Sequence, residues 1–118
     1  MSDRDYRLYL HDILDSGQAI QDFVKGYAFD DFERDRKTYS AVIREFEIIG
    51  ECVGKLPDTI KQTRPEVAWQ DIKDFRNLLV HEYFGVDMAI IWQVVQDDLP
   101  LLLKATSEIL ARINREKK

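Results

Sequence analysis

The stretch AWQDIKDFRNLLVHEYFGVD, residues 68–87, carries the pattern on which the fold prediction rests. Its apolar residues recur every three or four positions, at Ala68, Ile72, Phe75 and Leu79. Residues with this spacing form a stripe along one face of an α-helix. Gly85 is typical of a helix end, and Asp87 is a good N-cap for a new helix. The stretch therefore predicts an amphipathic helix that ends at Gly85 and another helix that begins at Asp87.

Similar stripes lie on both sides of this helix. Upstream, one stripe consists of Tyr6, Leu10, Ile13, Gly17, Ile20, Val24 and Tyr27, and the next of Tyr39, Val42, Phe46, Ile49, Val53 and Leu56. Downstream, a fourth helix carries Met88, Ile91 and Val95, followed by Leu99, Leu102, Thr106, Ile109 and Ile113. No segment alternates with period two over a useful length, which argues against strands. We predict one all-α domain over residues 1–118, an antiparallel bundle of four main helices plus short helical pieces.

Turn-forming residues divide these stripes. Gly26 should end the first helix, and the aspartates at 30 and 31 should start the second. The second helix should stop between Gly54 and Pro57. Near the end of the chain, Asp98 can cap a helix and Pro100 can occupy a first turn, so a kink or a restart is expected there.

Composition limits the class of protein. The 118 residues carry a net charge of −5, so no overall basic field attracts nucleic acid, and any such contact needs a local patch or a surface made by two chains. The N-terminus is too charged for a signal peptide, and no apolar run reaches the roughly 20 residues of a membrane span. The single cysteine, Cys52, allows no internal disulfide and fits the cytoplasm. Cys52 adjoins an apolar stripe, so we expect it to be a small buried hydrophobe.

The positions of the histidines and glycines give no pattern for a metal site or a nucleotide-binding loop. His11 and His81 are the only histidines, and no Cys or His cluster has ligand spacing. There is also no glycine-rich loop to hold phosphates, so the chain by itself should not bind ATP.

A cluster of polar residues interrupts the apolar pattern of the third helix. Asn77 and His81 are four residues apart and share a face, while Arg76 lies on the flank. Arg76 and His81 are separated by roughly 140° on an ideal helix, so one straight helix does not direct both to a single atom. Either the helix loosens after His81 or a second copy of the chain faces the first, as in a two-fold dimer. Taken alone, such a pair is more often a solvated surface than a reaction site.

The cluster, however, is part of a longer motif. The residues Arg76-Asn77-Leu-Leu-Val-His81-Glu-Tyr83 match the R-x4-H-x-Y signature of HEPN-domain proteins in the HepT-like branch. The continuation FGVD, Trp69 with Ile72, the segment EIIGE at 47–51 and DLP at 98–100 also resemble that branch, and in the same order. The resemblance covers essentially the whole chain and implies a small bundle of four or five helices.

The resemblance also implies a function. HepT-like toxins are metal-independent endoribonucleases that act as homodimers, in type VII-like toxin–antitoxin systems. Their partner is a minimal nucleotidyltransferase antitoxin (MntA-like), which adds AMP to the motif tyrosine and silences the toxin. By position, Arg76 and His81 would be catalytic, Asn77 would be the supporting polar residue after the arginine, and Tyr83 would be the site of AMPylation.

The residue types suit this chemistry. The 2′-hydroxyl of RNA is an internal nucleophile, and histidine, whose pKa is about 6.5, can remove its proton or protonate the leaving 5′-oxygen. Arginine stays charged and can stabilise the developing phosphate dianion. Asn77 could orient His81, one turn later on the same face. Glu51 has two interpretations: part of a solvated acidic face with Glu47, or a support that reaches Arg76 and fixes its rotamer.

A second function remains open. The same helical bundle serves as a non-catalytic, substrate- or nucleotide-binding partner of nucleotidyltransferases. In that case Arg76 and His81 would contact a phosphate without turning it over, and the acidic net charge suits this role. The intact motif favours the ribonuclease.

Overall fold

A computed structural model describes residues 5–81 and 85–116. Its α-helices are α1 (Tyr6–Phe23), α2 (Phe29–Arg34), α3 (Arg36–Gly54), α4 (Asp58–Lys61), α5 (Trp69–His81), α6 (Met88–Gln93) and α7 (Leu99–Glu116). A π-helical segment, Val94–Asp98, joins α6 to α7. No strand occurs within the two described ranges. The predicted all-α helical bundle is therefore confirmed.

The core lies where the apolar stripes meet. Helix α1 packs along α3 and α7, α5 packs on α3, and α2 contacts α3 and α6. Side chains with less than 2% exposure include Leu10, Ile13, Ile20, Phe32, Val42, Ile49, Val53, Leu79, Ile91 and Leu99. Most of them belong to the predicted stripes. Cys52 is 6% exposed, as expected for a small buried residue.

The junction between α1 and α3 differs from the prediction. Gly26 does follow the end of α1, and its φ of +80° lies in the left-handed region that favours glycine. The aspartates at 30 and 31, however, lie in the first turn of the separate short helix α2, and Asp31 accepts a hydrogen bond from the Ala28 N–H. The N-cap of α3 is Asp35, which accepts from the Thr38 N–H. The apolar spacing did not reveal α2 because so short a helix buries only Phe32.

The chain before Pro100 is irregular, as expected, but in a different form. Proline has no N–H and its ring crowds the carbonyl four residues earlier, here that of Gln96. Instead of a break, the backbone stays helical and widens into the π-helical segment before α7. Asp98 does not cap a restarted helix, because it is itself the last residue of the π-helical segment and Leu99 continues in helical conformation.

Asp35 links α3 to the preceding turn and makes stability sensitive to acid. Its carboxylate accepts hydrogen bonds from the Tyr27 hydroxyl at 2.5 Å and from the Thr38 hydroxyl at 2.7 Å. These bonds, the Tyr27 bond most, lower the pKa of Asp35 below its usual 3.8. A lowered pKa in the folded state stabilises the fold above the unfolded pKa, and this contribution is lost as the pH falls through the folded value.

We therefore expect Asp35→Ala to lower the Tm at pH 7, with a difference from the wild type that shrinks below about pH 4. Thermal unfolding followed by circular dichroism at several pH values measures this. Asp35→Asn, which keeps a cap but has no charge, is the matched control and should lose less. An Asp35→Ala deficit that does not change with pH would contradict the role of the charge.

None of the described helices is both long enough and apolar enough to span a membrane.

Candidate active site

Packing determines which face of α5 is open to solvent. At the start of the helix, the Trp69 indole N–H donates to the carbonyls of Lys61 and Arg64, at 3.0 Å each. Farther along, Phe75 packs edge-on against Phe46 of α3, and Leu79 is fully buried. These contacts fix the rotation of α5 about its axis. The opposite face, which carries Asn77, Val80 and His81, is exposed.

Helices α3 and α5 approach most closely where Arg76 meets Gly50. A Cβ atom placed on Gly50 would lie 2.2 Å from the Arg76 Cβ and 2.6 Å from its Cγ. Real Cβ atoms do not come this close to another carbon, so any side chain at position 50 would have to displace Arg76 or separate the helices. The absence of a side chain at Gly50 thus makes room for the stem of Arg76.

The Arg76 guanidinium group is held by two neighbours. Its Nη1 donates to the Asn77 Oδ1 at 3.1 Å, and its Nη2 lies 3.9 Å from the Glu51 Oε2. The Arg76 Nε is buried and has no hydrogen-bond partner among the described residues. The side chain is still 33% exposed, so the guanidinium can reach an anion outside the protein. The Nη groups have further N–H donors besides the one bonded to Asn77, and these can meet a phosphate oxygen.

The Glu51 and Asn77 contacts bear on their expected roles. Glu51 does reach Arg76, although the same carboxylate also lies 3.6 Å from the Lys55 ammonium group. The Asn77 carboxamide contacts Arg76, and the described part of the chain shows no hydrogen bond between Asn77 and His81. In this structure the Asn77 carboxamide thus contacts the arginine rather than the histidine.

His81 is the last residue of α5 and is exposed. Because α5 is regular through His81, about 140° of rotation and roughly 7.5 Å of rise separate Arg76 from His81. The two side chains leave the helix in different directions within one chain. Tyr83, the expected site of AMPylation, lies outside the described residues.

Two glycines and a lysine were missed by the sequence analysis. Gly50 and Gly54 are four residues apart on α3, and Lys73 precedes Arg76 by three residues on α5. Together with Glu51, Arg76 and Asn77, they line a concavity of about 170 Å³. Two small residues one helical turn apart are a signal of close helix approach, but that spacing alone does not identify the partner helix.

A larger cavity, of about 300 Å³, lies away from this site. It opens between α3, α5 and the start of α7 and is mainly apolar, with carboxylates from Glu66, Asp71 and Asp98. Partial burial, and then the charges of Asp97 and Asp71, raise the pKa of Asp98. Arg76 and His81 do not contribute to this cavity.

Known proteins resemble this chain along most of its length. The family model described as ribonuclease HepT-like matches residues 13–109. A Methanocaldococcus jannaschii protein named as a putative RNase is 40% identical over 98% of this chain and 96% of its own length. A Thermococcus cleftensis protein named as a probable ribonuclease HepT is 40% identical over 84% of this chain and 90% of its own.

A third relative, from Caldanaerobacter subterraneus subsp. tengcongensis, is also named as a putative RNase and is 40% identical over 90% of this chain and 95% of its own length. No solved structure matches the chain significantly. The helical bundle, the position of the R-x4-H motif on α5 and these similarities agree: the chain belongs to the HepT-like ribonuclease family.

Proposed function

We propose that this chain is a metal-independent endoribonuclease toxin that acts in the cytoplasm. The main support for the proposal is Arg76, which contacts Asn77 and Glu51 and lies on the same helix as the exposed His81, five residues earlier. An arginine whose side chain is 33% exposed and whose Nη groups have further N–H donors is suited to bind a phosphate. The relatives named as RNases make RNA the substrate to test.

The proposed reaction uses the nucleophile of the RNA itself. A neutral histidine removes the proton from a 2′-hydroxyl, and the 2′-oxygen attacks the adjacent phosphorus. The bond from phosphorus to the 5′-oxygen breaks, and a protonated histidine donates its proton to that leaving oxygen. Arg76 stabilises the additional negative charge on the phosphate oxygens. The products are a 2′,3′-cyclic phosphate and a 5′-hydroxyl.

A homodimer would complete this site. Within one chain Arg76 and His81 leave α5 in different directions, so their convergence on one phosphate requires a second copy. Val80, beside His81, is 42% exposed, which places a large apolar side chain on the same open face. Contact with a second α5 would bury Val80 and supply two histidines, one as base and one as acid.

The function is tested by incubating total cellular RNA with the purified, unmodified protein in excess EDTA. We expect discrete fragments that end in a 2′,3′-cyclic phosphate, which polynucleotide kinase with phosphatase activity can remove. Fragments with a 3′-hydroxyl, or cleavage only after Mg²⁺ is added, would refute this mechanism. Phosphate or RNA binding by a folded protein that cuts nothing would instead support the non-catalytic partner of a nucleotidyltransferase.

Control by an MntA-like antitoxin is proposed from the family. AMP on the Tyr83 hydroxyl, two residues after His81, would add a negative phosphodiester and a bulky nucleoside near the proposed site. Both would oppose the binding of an RNA phosphate. Modification would therefore inactivate the toxin.

If AMPylation is the means of control, Tyr83→Phe should remain toxic when it is produced together with the nucleotidyltransferase, whereas the wild type should be silenced. Growth of the two strains, with intact-mass measurement of the purified proteins, gives the comparison. Rescue of cells that carry Tyr83→Phe would show that simple binding of the antitoxin suffices.

A further inference from the structure

The concavity between α3 and α5 has a floor without side chains. Gly50 and Gly54 form that floor, and Lys73, Arg76, Asn77 and Glu51 surround it, enclosing about 170 Å³. A Cβ on Gly54 would meet only the Lys73 Cε, at 3.6 Å, which is an ordinary contact. Close helix packing therefore requires glycine at position 50 but not at position 54. The space above Gly54 is open.

Lys73 extends over this floor and has no ion pair among the described residues. Nearby lysines differ, since the ammonium groups of Lys55 and Lys61 lie 3.6 Å from Glu51 and 3.7 Å from Asp58, respectively. Lys73 is also half-buried. Its ammonium group therefore has no carboxylate partner in the described part of the chain and is available to an anion.

The charges around the concavity are positive on balance, although the whole chain carries −5. Lys73 and Arg76 contribute two cations, and Glu51 contributes the one carboxylate. That carboxylate is shared between Arg76 and Lys55. A local cationic patch of this kind is what an acidic protein needs in order to hold a polyanion.

Lys73 also lies in line with the proposed catalytic residues. It precedes Asn77 by four residues and His81 by eight, which corresponds to roughly 6 Å and 12 Å along the axis of α5. All three positions fall on the open side of the helix. An RNA strand that passes along this side would place one phosphate at Arg76 and the neighbouring phosphate nearer to Lys73.

We propose that this concavity is a second phosphate subsite, which binds the phosphodiester next to the one that is cleaved. The inference rests on the proposed function and deepens it: the substrate is a strand that runs lengthwise along α5, held by at least two consecutive phosphates. Lys73 contacts the neighbouring phosphate and takes no part in proton transfer. Its contribution is the same in the ground state and the transition state, so it lowers KM without changing kcat.

Binding of a single-stranded 2′-O-methyl RNA oligonucleotide tests the subsite without cleavage, because this probe has no free 2′-hydroxyl. Lys73→Gln keeps most of the side-chain volume and removes the charge. We expect its Kd to rise about tenfold and the slope of log K against log salt concentration to fall by about 0.7. Lys104→Gln, which removes an exposed lysine on α7, is the matched control and should change neither quantity.

A second set of variants fills the space instead of removing the charge. Gly54→Ala and Gly54→Leu should both fold, since position 54 is exposed and both residues favour a helix more than glycine does. The Kd should increase from the wild type to Gly54→Ala to Gly54→Leu. An unchanged Kd for Gly54→Leu would show that the concavity is not occupied, and would overturn the inference.

The outcomes separate this inference from the proposed function. If the wild type cleaves RNA and Lys73→Gln has the same KM and salt dependence as Lys104→Gln, the subsite is wrong and the nuclease stands. If the wild type does not cleave but the oligonucleotide still binds with the expected dependence on Lys73, the nuclease is wrong and the subsite stands. If free AMP binds as tightly as the oligonucleotide and with the same dependence on Lys73, the concavity holds a mononucleotide and the proposed RNA subsite is refuted.

Discussion

Replacing His81 with alanine should reduce RNA cleavage in EDTA by about 10²–10⁴-fold, while the Tm stays close to that of the wild type. His81 is exposed at the end of α5 and makes no described hydrogen bond, so its removal costs the fold little. The loss should come from kcat, since a proton-transfer group acts in the transition state. Cleavage rates on a short RNA, together with thermal unfolding, measure both. Unchanged kcat would remove His81 from the reaction.

Arg76→Ala should cause a loss of about 10²–10³-fold, comparable to removal of a donor that stabilises transition-state charge. The two inactive variants together also test the composite site. If Arg76 of one chain acts with His81 of the other, co-production of Arg76→Ala with His81→Ala should restore part of the activity in mixed dimers. No recovery in a mixed dimer that is shown to form would refute a composite site that works with one arginine and one histidine.

The second large effect is expected at Gly50, which has no side chain that could take part in the reaction. Gly50→Ala would place a Cβ 2.2 Å from the Arg76 Cβ, so the arginine must move or the helices must separate. Overpacking of this kind costs about 1–3 kcal/mol of stability. A displacement of about 1 Å at a positioned catalytic group can cost about 10²-fold in rate. We expect both a lower Tm and a lower kcat.

Gly54→Ala is the matched control, because it makes the same chemical change one turn later on α3. Its Cβ would meet the Lys73 Cε at an ordinary 3.6 Å. Gly54 is the last residue of α3, so stability should change little, and kcat at saturating RNA should not change even though the proposed subsite predicts a higher KM. Cleavage rates measured well below both Tm values distinguish a loss caused by a misplaced Arg76 from a loss caused by unfolding. Equal kcat in the two variants would contradict the positioning role of Gly50.

The helices could be predicted from the sequence because their signals depend on residues close together in the chain. The stripes, the Asp87 cap and the disturbance before Pro100 depend on residues at most four positions apart, and the side-chain spacing of a helix exposes such relations directly in the sequence. The cap is confirmed by the bond from the Ala89 N–H to Asp87 at 2.9 Å. The motif residues Arg76 and His81 were equally visible, because their separation along α5 is a property of the chain alone.

The sequence by itself determined an all-α bundle and the helix that carries the motif, with Arg76 and His81 about 140° apart around its axis. Only the tertiary structure decided that Gly50 receives the stem of Arg76, that Asn77 contacts the arginine, and that Lys73 lies over Gly54. These contacts join residues more than 15 positions apart or depend on one rotamer among several. They are set by how closely α3 and α5 pack, which hydrophobic periodicity does not specify.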